Sequence, residues 1–211
     1  MCSSDLRKWD LLLAHIYKNI PGFQIVEKEN SRLMRLLSFL FFFNKKFMLS
    51  YTTTIYPKVY FPKSILGSGD PIQKITIMAH EYVHMSDRKR LGVLFNILYL
   101  SPQIFAPLAL LAIWFSNLWL LCLLFLLPIP SIGRAYFEYK AYKMSIFIYY
   151  YFIGRIPDLE LFVNEFTTSN YYWMMPLKGV MRNNFNEFAK RLMKKEHEDY
   201  ILEIKNVLDG K

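Results

Sequence analysis

The spacing of apolar residues predicts that the chain is mostly helical. Residues 5–20 carry large apolar side chains at the three- and four-residue intervals of an amphipathic helix, and a Pro-Gly pair ends that pattern. Residues 134–153 and 183–208 show similar spacing mixed with charged and aromatic residues, and each range predicts a further helix. Residues 166–176 form an aromatic cluster with the polar content of a loop.

One region favours β structure instead. Residues 47–62 are rich in Thr, Tyr, Ile and Val, and Pro57 indicates an edge strand or a turn in the middle of this range. Asp70 and Pro71 are the expected N-cap and first residue of a helix over residues 71–90. The predicted fold class is therefore α+β, with a small sheet in a mostly helical chain.

Two apolar runs interrupt these elements. Residues 36–43 are too few to cross a bilayer, which takes about 20 residues, and a buried strand, a core helix and an interfacial patch all fit them. Residues 91–133 contain no charged residue and no histidine, and their length fits a two-arm helical hairpin with its turn at residues 115–117. Prolines are expected to kink the first arm and end the second: Pro102, Pro107, Pro128 and Pro130. A buried hairpin of a soluble protein is the alternative.

Composition changes this picture by favouring a membrane as a partner. The chain of 211 residues is 54% hydrophobic, has a mean hydropathy of +0.15 and carries a formal net charge of +9. Its basic residues flank the apolar runs and form no stripe interleaved with aromatics, so no nucleic acid is expected to bind. Cys2 and Cys122 predict neither a disulfide framework nor a cysteine-based zinc site. The charged first ten residues do not predict a signal peptide.

The candidate chemistry lies in the predicted helix over residues 71–90. His80 and His84 stand four residues apart with Glu81 directly after the first, which is the pattern H-E-x-x-H. On a helix both imidazoles share one face and can bind one tetrahedral zinc ion, and the glutamate can act as general base toward an attacking water. Two structural histidines are the alternative interpretation.

A catalytic zinc site needs a third protein ligand. We expect it to be Glu138, on the predicted helix over residues 134–153, where Ala135 and Ala141 would allow close helix packing. A surface glutamate is the alternative, and Glu165 is a second choice of ligand. A histidine six residues after His84 would extend the motif to the metzincin pattern, but that residue is Arg90.

Other titratable residues have weaker claims to the site. Asp87 lies one turn after His84 and could contact a zinc ligand, or it could form a surface ion pair with Arg88 or Arg90. His15 is interpreted as an ordinary histidine on a helix face, and His197 as a solvated histidine in a charged helix. Four residues could stabilise an oxyanion: Arg134, Tyr142, Tyr171 and Tyr172.

From about residue 51 to residue 144, the chain resembles the gluzincin-type zinc metallopeptidases, in which the H-E-x-x-H helix pairs with a helix that supplies a glutamate. It is most similar to integral-membrane peptidases of the HtpX and CAAX prenyl protease type, which have apolar spans between these helices and an E-x-x-A-D pattern on the second. Residues 138–142 read E-Y-K-A-Y, so the glutamate and alanine match while Tyr142 replaces the aspartate. The contact that this aspartate usually makes is therefore in question. The resemblance implies a zincin-like helical domain that binds Zn²⁺, and a phage-encoded or other minimal membrane metallopeptidase would fit it.

The predicted topology agrees with this resemblance. If the two helices bind one zinc ion, both ends of the apolar hairpin lie on the same side of the membrane, and basic residues do flank both ends, as expected for the cytoplasmic side. The chain then divides into residues 1–90 with the motif helix, residues 91–133 as a membrane hairpin, and residues 134–211 with the third-ligand helix.

These observations predict an integral-membrane zinc endopeptidase whose catalytic part faces the cytoplasm. Its partners would be the bilayer and a protein or peptide substrate, bound as an extended strand along residues 51–61. The main alternative is a non-enzymatic membrane protein with a structural or vestigial zinc site. A protein that binds nucleic acid or anionic lipid through its net positive charge is a further alternative, and it predicts strongly salt-dependent binding.

Overall fold

A computed structural model describes residues 3–40, 47–49, 51–127, 129–168 and 174–211, and these residues confirm the α+β class. The α-helices are α1 (Ser3–Asn19), α2 (Arg32–Leu40), α3 (Lys63–Leu66), α4 (Pro71–Leu91), α5 (Val93–Leu100), α6 (Ile132–Ile153), α7 (Leu159–Thr167), α8 (Lys178–Met193) and α9 (Asp199–Leu208). The strands are β1 (Gln24–Glu27), β2 (Thr53–Ile55) and β3 (Lys58–Phe61). Tighter 3₁₀ helices cover Lys28–Asn30, Gln103–Ile113 and Asn117–Leu126.

The sheet places β3 between the two other strands. β1 is parallel to β3, and β2 is antiparallel to it, so β2 forms one edge of the sheet among the described residues. Tyr56 and Pro57 connect β2 to β3, which confirms the turn expected at the proline. Strand β1 lies outside the range for which the sequence predicted β structure.

Helix α4 begins as its sequence predicts. The Asp70 Oδ1 atom accepts hydrogen bonds from the backbone N–H groups of Ile72 (2.9 Å) and Gln73 (3.1 Å), so it satisfies two donors that the first turn leaves without partners. Pro71 is the first helical residue. The helix then continues without a break through the H-E-x-x-H motif to Leu91.

The chain forms two compact units. The first comprises Met1–Lys89, Met144–Arg155 and His197–Lys211, and it contains the sheet, α1, most of α4 and all of α9. In this unit α1 packs against α9, and the core includes side chains with no more than 1% exposure from α1, α4 and α9 and from Ile20, directly after α1. They are Leu12, Ile16, Ile20, Ile75, Met78, Met85, Ile201 and Ile204.

The second unit comprises Arg90–Lys143 and Ile156–Glu196. Its centre is formed by α7 and α8, which pack against each other, together with the first part of α6. The ring of Phe185 lies 5.1 Å from the ring of Tyr139 and 5.7 Å from the ring of Phe166, measured between centroids. Aromatic packing of this kind accounts for part of the aromatic content of the chain, which is 18%.

The single helix predicted over residues 183–208 is wrong, because the chain breaks between α8 and α9. The N–H of Glu196 bonds to the carbonyl of Arg191 (3.0 Å), and the N–H of Lys195 bonds to the carbonyl of Leu192 (2.9 Å). These two bonds form a Schellman motif, which ends a helix with a residue in the left-handed conformation. Here that residue is Lys195, with φ of 63°, and not the glycine that would have marked the end in the sequence.

The apolar range 91–133 is bent and largely 3₁₀-helical. Among the described residues no single helix is long enough and apolar enough to cross a membrane. Helix α5 and the segment Gln103–Ile113 meet both criteria when they are taken together, but their axes are bent by 86° relative to each other. The bend confirms the kink expected at Pro102. The segments Gln103–Ile113 and Asn117–Leu126 pack against each other, on either side of the expected turn.

The run over residues 36–43 is helical as far as the structure describes it. Residues 36–40 belong to α2, so the strand interpretation is wrong for this part, whereas residues 41–43 lie outside the described residues. Met34 is fully buried, but Leu36 and Phe39 are 59% and 76% exposed. Helix α2 therefore attaches to the first unit on one side and presents apolar side chains on the other.

Candidate metal centre

The motif residues lie on a buried part of α4. His84 is 7% exposed and Glu81 is 8% exposed, while His80 is partly exposed. The side chains of Ile75, Met78 and Ala79 have no exposure and anchor the helix in the core of the first unit. A helix held in this way keeps both histidines at fixed positions.

The two imidazoles point toward the same place. The Nε2 atoms of His80 and His84 are 3.2 Å apart, and their rings are tilted by 74°. Two nitrogen ligands at 2.0–2.1 Å from a tetrahedral zinc ion lie about 3.3–3.4 Å apart, so the observed separation is close to the one that zinc requires.

His80 has a partner on its other ring nitrogen. The Nδ1 atom lies 3.1 Å from the hydroxyl oxygen of Ser145, on the part of α6 that belongs to the first unit. A hydroxyl at this position can accept the Nδ1–H bond, which selects the tautomer with a lone pair on Nε2. This is the arrangement expected of a histidine that binds metal through Nε2.

The carboxylate of Glu81 is held by the edge strand of the sheet. The hydroxyl of Thr54, in β2, donates a hydrogen bond of 2.7 Å to Oε2 of Glu81. This bond brings the edge of the sheet into direct contact with the glutamate of the motif. Thr53, the neighbour of Thr54 in β2, belongs to the opposite face of the strand.

Lys28 in turn fixes the position of β2. Its ammonium group is fully buried and donates hydrogen bonds to the carbonyls of Phe47 (2.6 Å) and Tyr51 (2.8 Å) and to the hydroxyl of Thr53 (2.8 Å). Burial lowers the pKa of Lys28 to about 8, although the negative charges of Glu81 and Glu29 oppose this shift.

Glu138 lies on a helix, as the sequence predicted, and this part of α6 belongs to the second unit. Its side chain is 2% exposed, so the alternative of a surface glutamate is wrong. The hydroxyl of Tyr99, on α5, donates a hydrogen bond to its Oε1 atom. Arg134 donates to the carbonyl oxygen of the same tyrosine (3.1 Å) and to Oε1 of Gln103 (3.1 Å). The carboxylate is therefore held in one orientation by a residue of the apolar range.

The three predicted ligands form one group. Each of His80, His84 and Glu138 offers one ligand atom, and these atoms all lie within 4.8 Å of one another. Two imidazole nitrogens and one carboxylate oxygen are a donor set that zinc accepts, and they match the three protein ligands of a catalytic site. Other divalent transition metals accept the same donor set.

Other predicted residues have different surroundings from those expected. Asp87 is 2% exposed, so its interpretation as a surface ion pair is wrong. Tyr142 packs its ring against Phe162 and Phe166 of α7, each 5.6 Å away. The structure thus gives Tyr142 a packing contact, and it gives Arg134 the bonds to α5 already described. Tyr171 and Tyr172 lie outside the described residues.

The remaining histidines are not ligands in this group. His15 Nε2 lies 2.8 Å from Glu203 Oε1 and 3.1 Å from the hydroxyl of Tyr82, so this histidine links α1 to α9 and α4. His197 is partly buried against the ring of Phe147, and burial lowers its pKa, so its interpretation as solvated is wrong. Glu165, the second choice of ligand, is also outside the group found among the described residues.

Tyr82, inside the motif, connects the site to the terminal helices. Its hydroxyl donates a 3.0 Å hydrogen bond to Glu203 of α9. Burial raises the pKa of Tyr82 above its usual range, and the charge of Glu203 adds to the shift. The hydrogen bond from His15 lowers the pKa of Glu203. The polar network formed by His15, Tyr82 and Glu203 therefore joins α4 to α1 and α9.

The sequence did not predict three contacts of the site, which are those of Thr54 with Glu81, Tyr99 with Glu138 and Ser145 with His80. One signal was available, because Ser145 stands seven residues after Glu138 and hence on the same face of α6. Thr54 is one of three consecutive threonines, and Tyr99 lies in the apolar run, so neither had a distinguishing pattern.

Comparison of the chain with protein-family models, curated proteins and solved structures gives no match in any of the three.

Proposed function

We propose that this chain is a membrane-associated, zinc-dependent endopeptidase. The observation that carries the proposal is the pair of imidazole nitrogens 3.2 Å apart on α4, with Glu81 directly after His80 in the chain and Glu138 completing the ligand group. A structural helix with two histidines would not require the hydroxyl partner at His80 or a buried carboxylate at each of the two glutamates.

In this proposal His80, His84 and Glu138 hold the zinc ion, which when bound supplies Lewis-acid activation of water and polarisation of the scissile carbonyl. Ser145 orients the ring of His80, and Tyr99 orients the carboxylate of Glu138. Both partners act through the ligands and do not touch the substrate. Asp87 is buried one turn after His84, where it can support the same helix face.

Glu81 is the proposed general base. The bond from Thr54 holds Oε2, so the carboxylate keeps its orientation while Oε1 takes a proton from the attacking water. The same carboxyl group then delivers that proton to the leaving amine, as the chemistry of peptide hydrolysis requires.

The edge strand β2 is the proposed substrate-binding element. Among the described residues β2 pairs with β3 only, so its outer side can accept an extended peptide as an added strand. Because Thr54 of β2 contacts Glu81 directly, a peptide along this edge would lie beside the general base.

We further propose that residues 91–133 associate with the bilayer as a bent hairpin. Most of the exposed side chains among its described residues are large and apolar, including Ile113, Trp114 and Phe115, which are 71–74% exposed. Basic residues flank both ends, which favours the cytoplasmic side for the site. Substrates that lie in or near a membrane follow from this location.

The test combines metal content with cleavage by the detergent-purified protein. We expect about one zinc ion per chain in the wild type and in Glu81→Gln, and a clear loss of zinc in His80→Ala and Glu138→Ala. Cleavage of unfolded casein should fall by about 10²–10⁴-fold in Glu81→Gln, because the general base is lost. The exposed Glu187→Gln on α8 is the matched control and should behave as the wild type.

The alternative is a non-enzymatic membrane protein with a structural metal site. It predicts zinc binding without any cleavage that depends on Glu81. A wild-type protein without zinc, purified under conditions that do not strip metal, would refute both the metal site and the peptidase.

A further inference from the structure

Helix α2 exposes an apolar ridge on the first unit. Leu33, Leu36 and Phe39 are 43%, 59% and 76% exposed, and their three-residue spacing places them along one side of the helix. Met34 is fully buried and attaches the helix to the unit. Three large apolar side chains in a row on a short exposed helix require an explanation beyond packing.

Helix α2 carries charges of one sign, and the carboxylates that precede it in the chain, Glu27 and Glu29, are hydrogen-bonded to Asn30 and to the backbone of Lys63. Arg32 and Arg35 of α2 are exposed, and the helix has no acidic residue. From residue 30 to residue 69 the sequence contains no Asp or Glu at all. The basic residues of this range are Arg32, Arg35, Lys45, Lys46, Lys58 and Lys63.

We propose that α2 is an interfacial helix that docks the first unit onto an anionic lipid bilayer. Leu33, Leu36 and Phe39 would enter the boundary between headgroups and acyl chains, while the two arginines contact lipid phosphates. An exposed apolar ridge beside basic residues is the composition of helices that lie in the plane of a membrane surface. The charge complementarity favours anionic lipid over a protein groove as the occupant.

This contact differs from the one proposed for residues 91–133, because it belongs to the other unit and depends on lipid charge. It also does not depend on the metal chemistry. Its consequence for the peptidase would be that the unit carrying Glu81 and β2 is held at the membrane surface.

The experiment places a polarity-sensitive fluorophore at residue 39 of the full chain. Phe39→Cys is labelled in a background with Cys2→Ser and Cys122→Ser, and the protein is reconstituted into nanodiscs of phosphatidylcholine with or without phosphatidylglycerol. We expect a blue-shifted emission, quenched by doxyl lipids, in the anionic nanodiscs. Arg32→Gln and Arg35→Gln should each weaken the docking equilibrium by about fivefold.

Two controls separate this contact from others. Leu202→Cys on α9 is similarly apolar and 42% exposed, but it stands next to Glu203 and near Asp199, so its label should stay in water. A variant that retains only the native Cys122 reports separately whether the apolar range enters the bilayer. Failure of the hairpin proposal is therefore distinguishable from failure of the α2 proposal.

The proposal is overturned if the label at residue 39 remains accessible to iodide in anionic nanodiscs. It is also overturned if the label is protected from both iodide and doxyl lipids in a manner that depends on protein concentration. That result would mean that a second copy of the chain covers α2.

Discussion

At the scale of single residues, the site depends on hydrogen bonds that fix its side chains. Thr54 fixes Glu81, Ser145 fixes His80, and Tyr99 fixes Glu138. Partners of this kind determine the tautomer and orientation of metal ligands, and their loss weakens metal binding without removing a ligand.

Tyr99 provides the sharpest test of this dependence. Tyr99→Phe keeps the ring, which stacks on Phe95 at 5.5 Å, and removes only the hydroxyl that bonds Glu138. We expect the zinc dissociation constant to rise about 10- to 100-fold. Competition with a chromophoric chelator in detergent measures it.

Tyr139→Phe, on the same helix as Glu138, is the matched control, because it also removes a hydroxyl that donates a hydrogen bond, here to the carbonyl of Asn184 (3.0 Å). Equal zinc affinities of the two variants would show that Tyr99 does not orient the ligand. The electronic spectrum of the cobalt-substituted protein should change only in Tyr99→Phe.

Lys28 predicts a pH dependence of stability. Its pKa is about 8 in the folded chain and 10.5 in the unfolded chain, so the unfolded chain binds more protons between these values. The free energy of unfolding should therefore rise as the pH increases from about 8 toward 10.5, because the cost of burying the charge disappears. Unfolding midpoints measured from pH 7 to pH 10 should show this rise in the wild type.

Lys28→Met removes the buried charge. The unfolding midpoint of this variant should therefore not show the rise with pH that Lys28 causes, whatever the stability of the variant at pH 7. Lys63→Met, at an exposed position, should retain the wild-type pH profile. Parallel profiles for the wild type and Lys28→Met would contradict the assignment.

At the scale of elements, the close approach of α5 to α6 is the feature on which the position of Tyr99 depends. A Cβ atom on Gly133, near the start of α6, would lie 2.4 Å from the carbonyl oxygen of Leu98 in α5. Only glycine allows the backbones to come so near. The two helices are further joined by the bonds of Arg134.

Gly133→Ala should therefore separate α5 from α6 and destabilise the protein by about 1–3 kcal/mol. The clash is with backbone, so no side chain can move away to relieve it. Gly179→Ala on α8 is the control, because nothing lies within 4 Å of its added Cβ, and alanine favours a helix by up to about 1 kcal/mol. Thermal unfolding in detergent compares the two. A midpoint for Gly133→Ala as high as that of Gly179→Ala would show that α5 does not pack this closely.

The sequence predicted α4 and α6 well because local signals define them. Asp70 and Pro71 mark the start of α4, and regular apolar spacing continues through both helices. The break at Lys195 had no such signal, because a lysine adopts the left-handed conformation that glycine usually marks. The 3₁₀ character of the apolar range could not be predicted either, since the apolar spacing does not distinguish the two kinds of helix.

The residues of the site likewise divide into those that a local pattern predicts and those that it does not. His80, Glu81 and His84 form a local motif, and Glu138 was predicted from helix character and small neighbours. Tyr99 and Thr54 reach the site through tertiary contacts that no local pattern specifies. Asp87 was misjudged because its charged neighbours suggested a surface, whereas α4 is buried on that face.

At the scale of the whole molecule, the proposed association of residues 91–133 with the bilayer can be tested by placing a charge in this range. Leu121 lies in Asn117–Leu126 and is 58% exposed. If this segment enters the bilayer, Leu121→Arg places a charge there at a cost of about 2–4 kcal/mol. We expect a large fraction of this variant to be released from membranes by an alkaline wash that leaves the wild type bound.

Leu161→Arg on α7 is the matched control, since this leucine is 63% exposed and lies beside Glu160, which pairs with Arg182. Its membrane fraction should equal that of the wild type. Release of both variants to the same extent would indicate a general effect of added charge and contradict the proposed membrane hairpin.

The shortness of β2 has a consequence for the choice of substrates. This edge strand has only three residues, and successive residues of a strand face opposite sides of the sheet. The sheet would therefore contact only one or two side chains of an added peptide. Such a contact would give the binding of substrates little sequence specificity. A peptidase built this way would select its targets by where they are in the cell and how long they remain unfolded there, and a compilation of its cleavage sites would show a weak consensus.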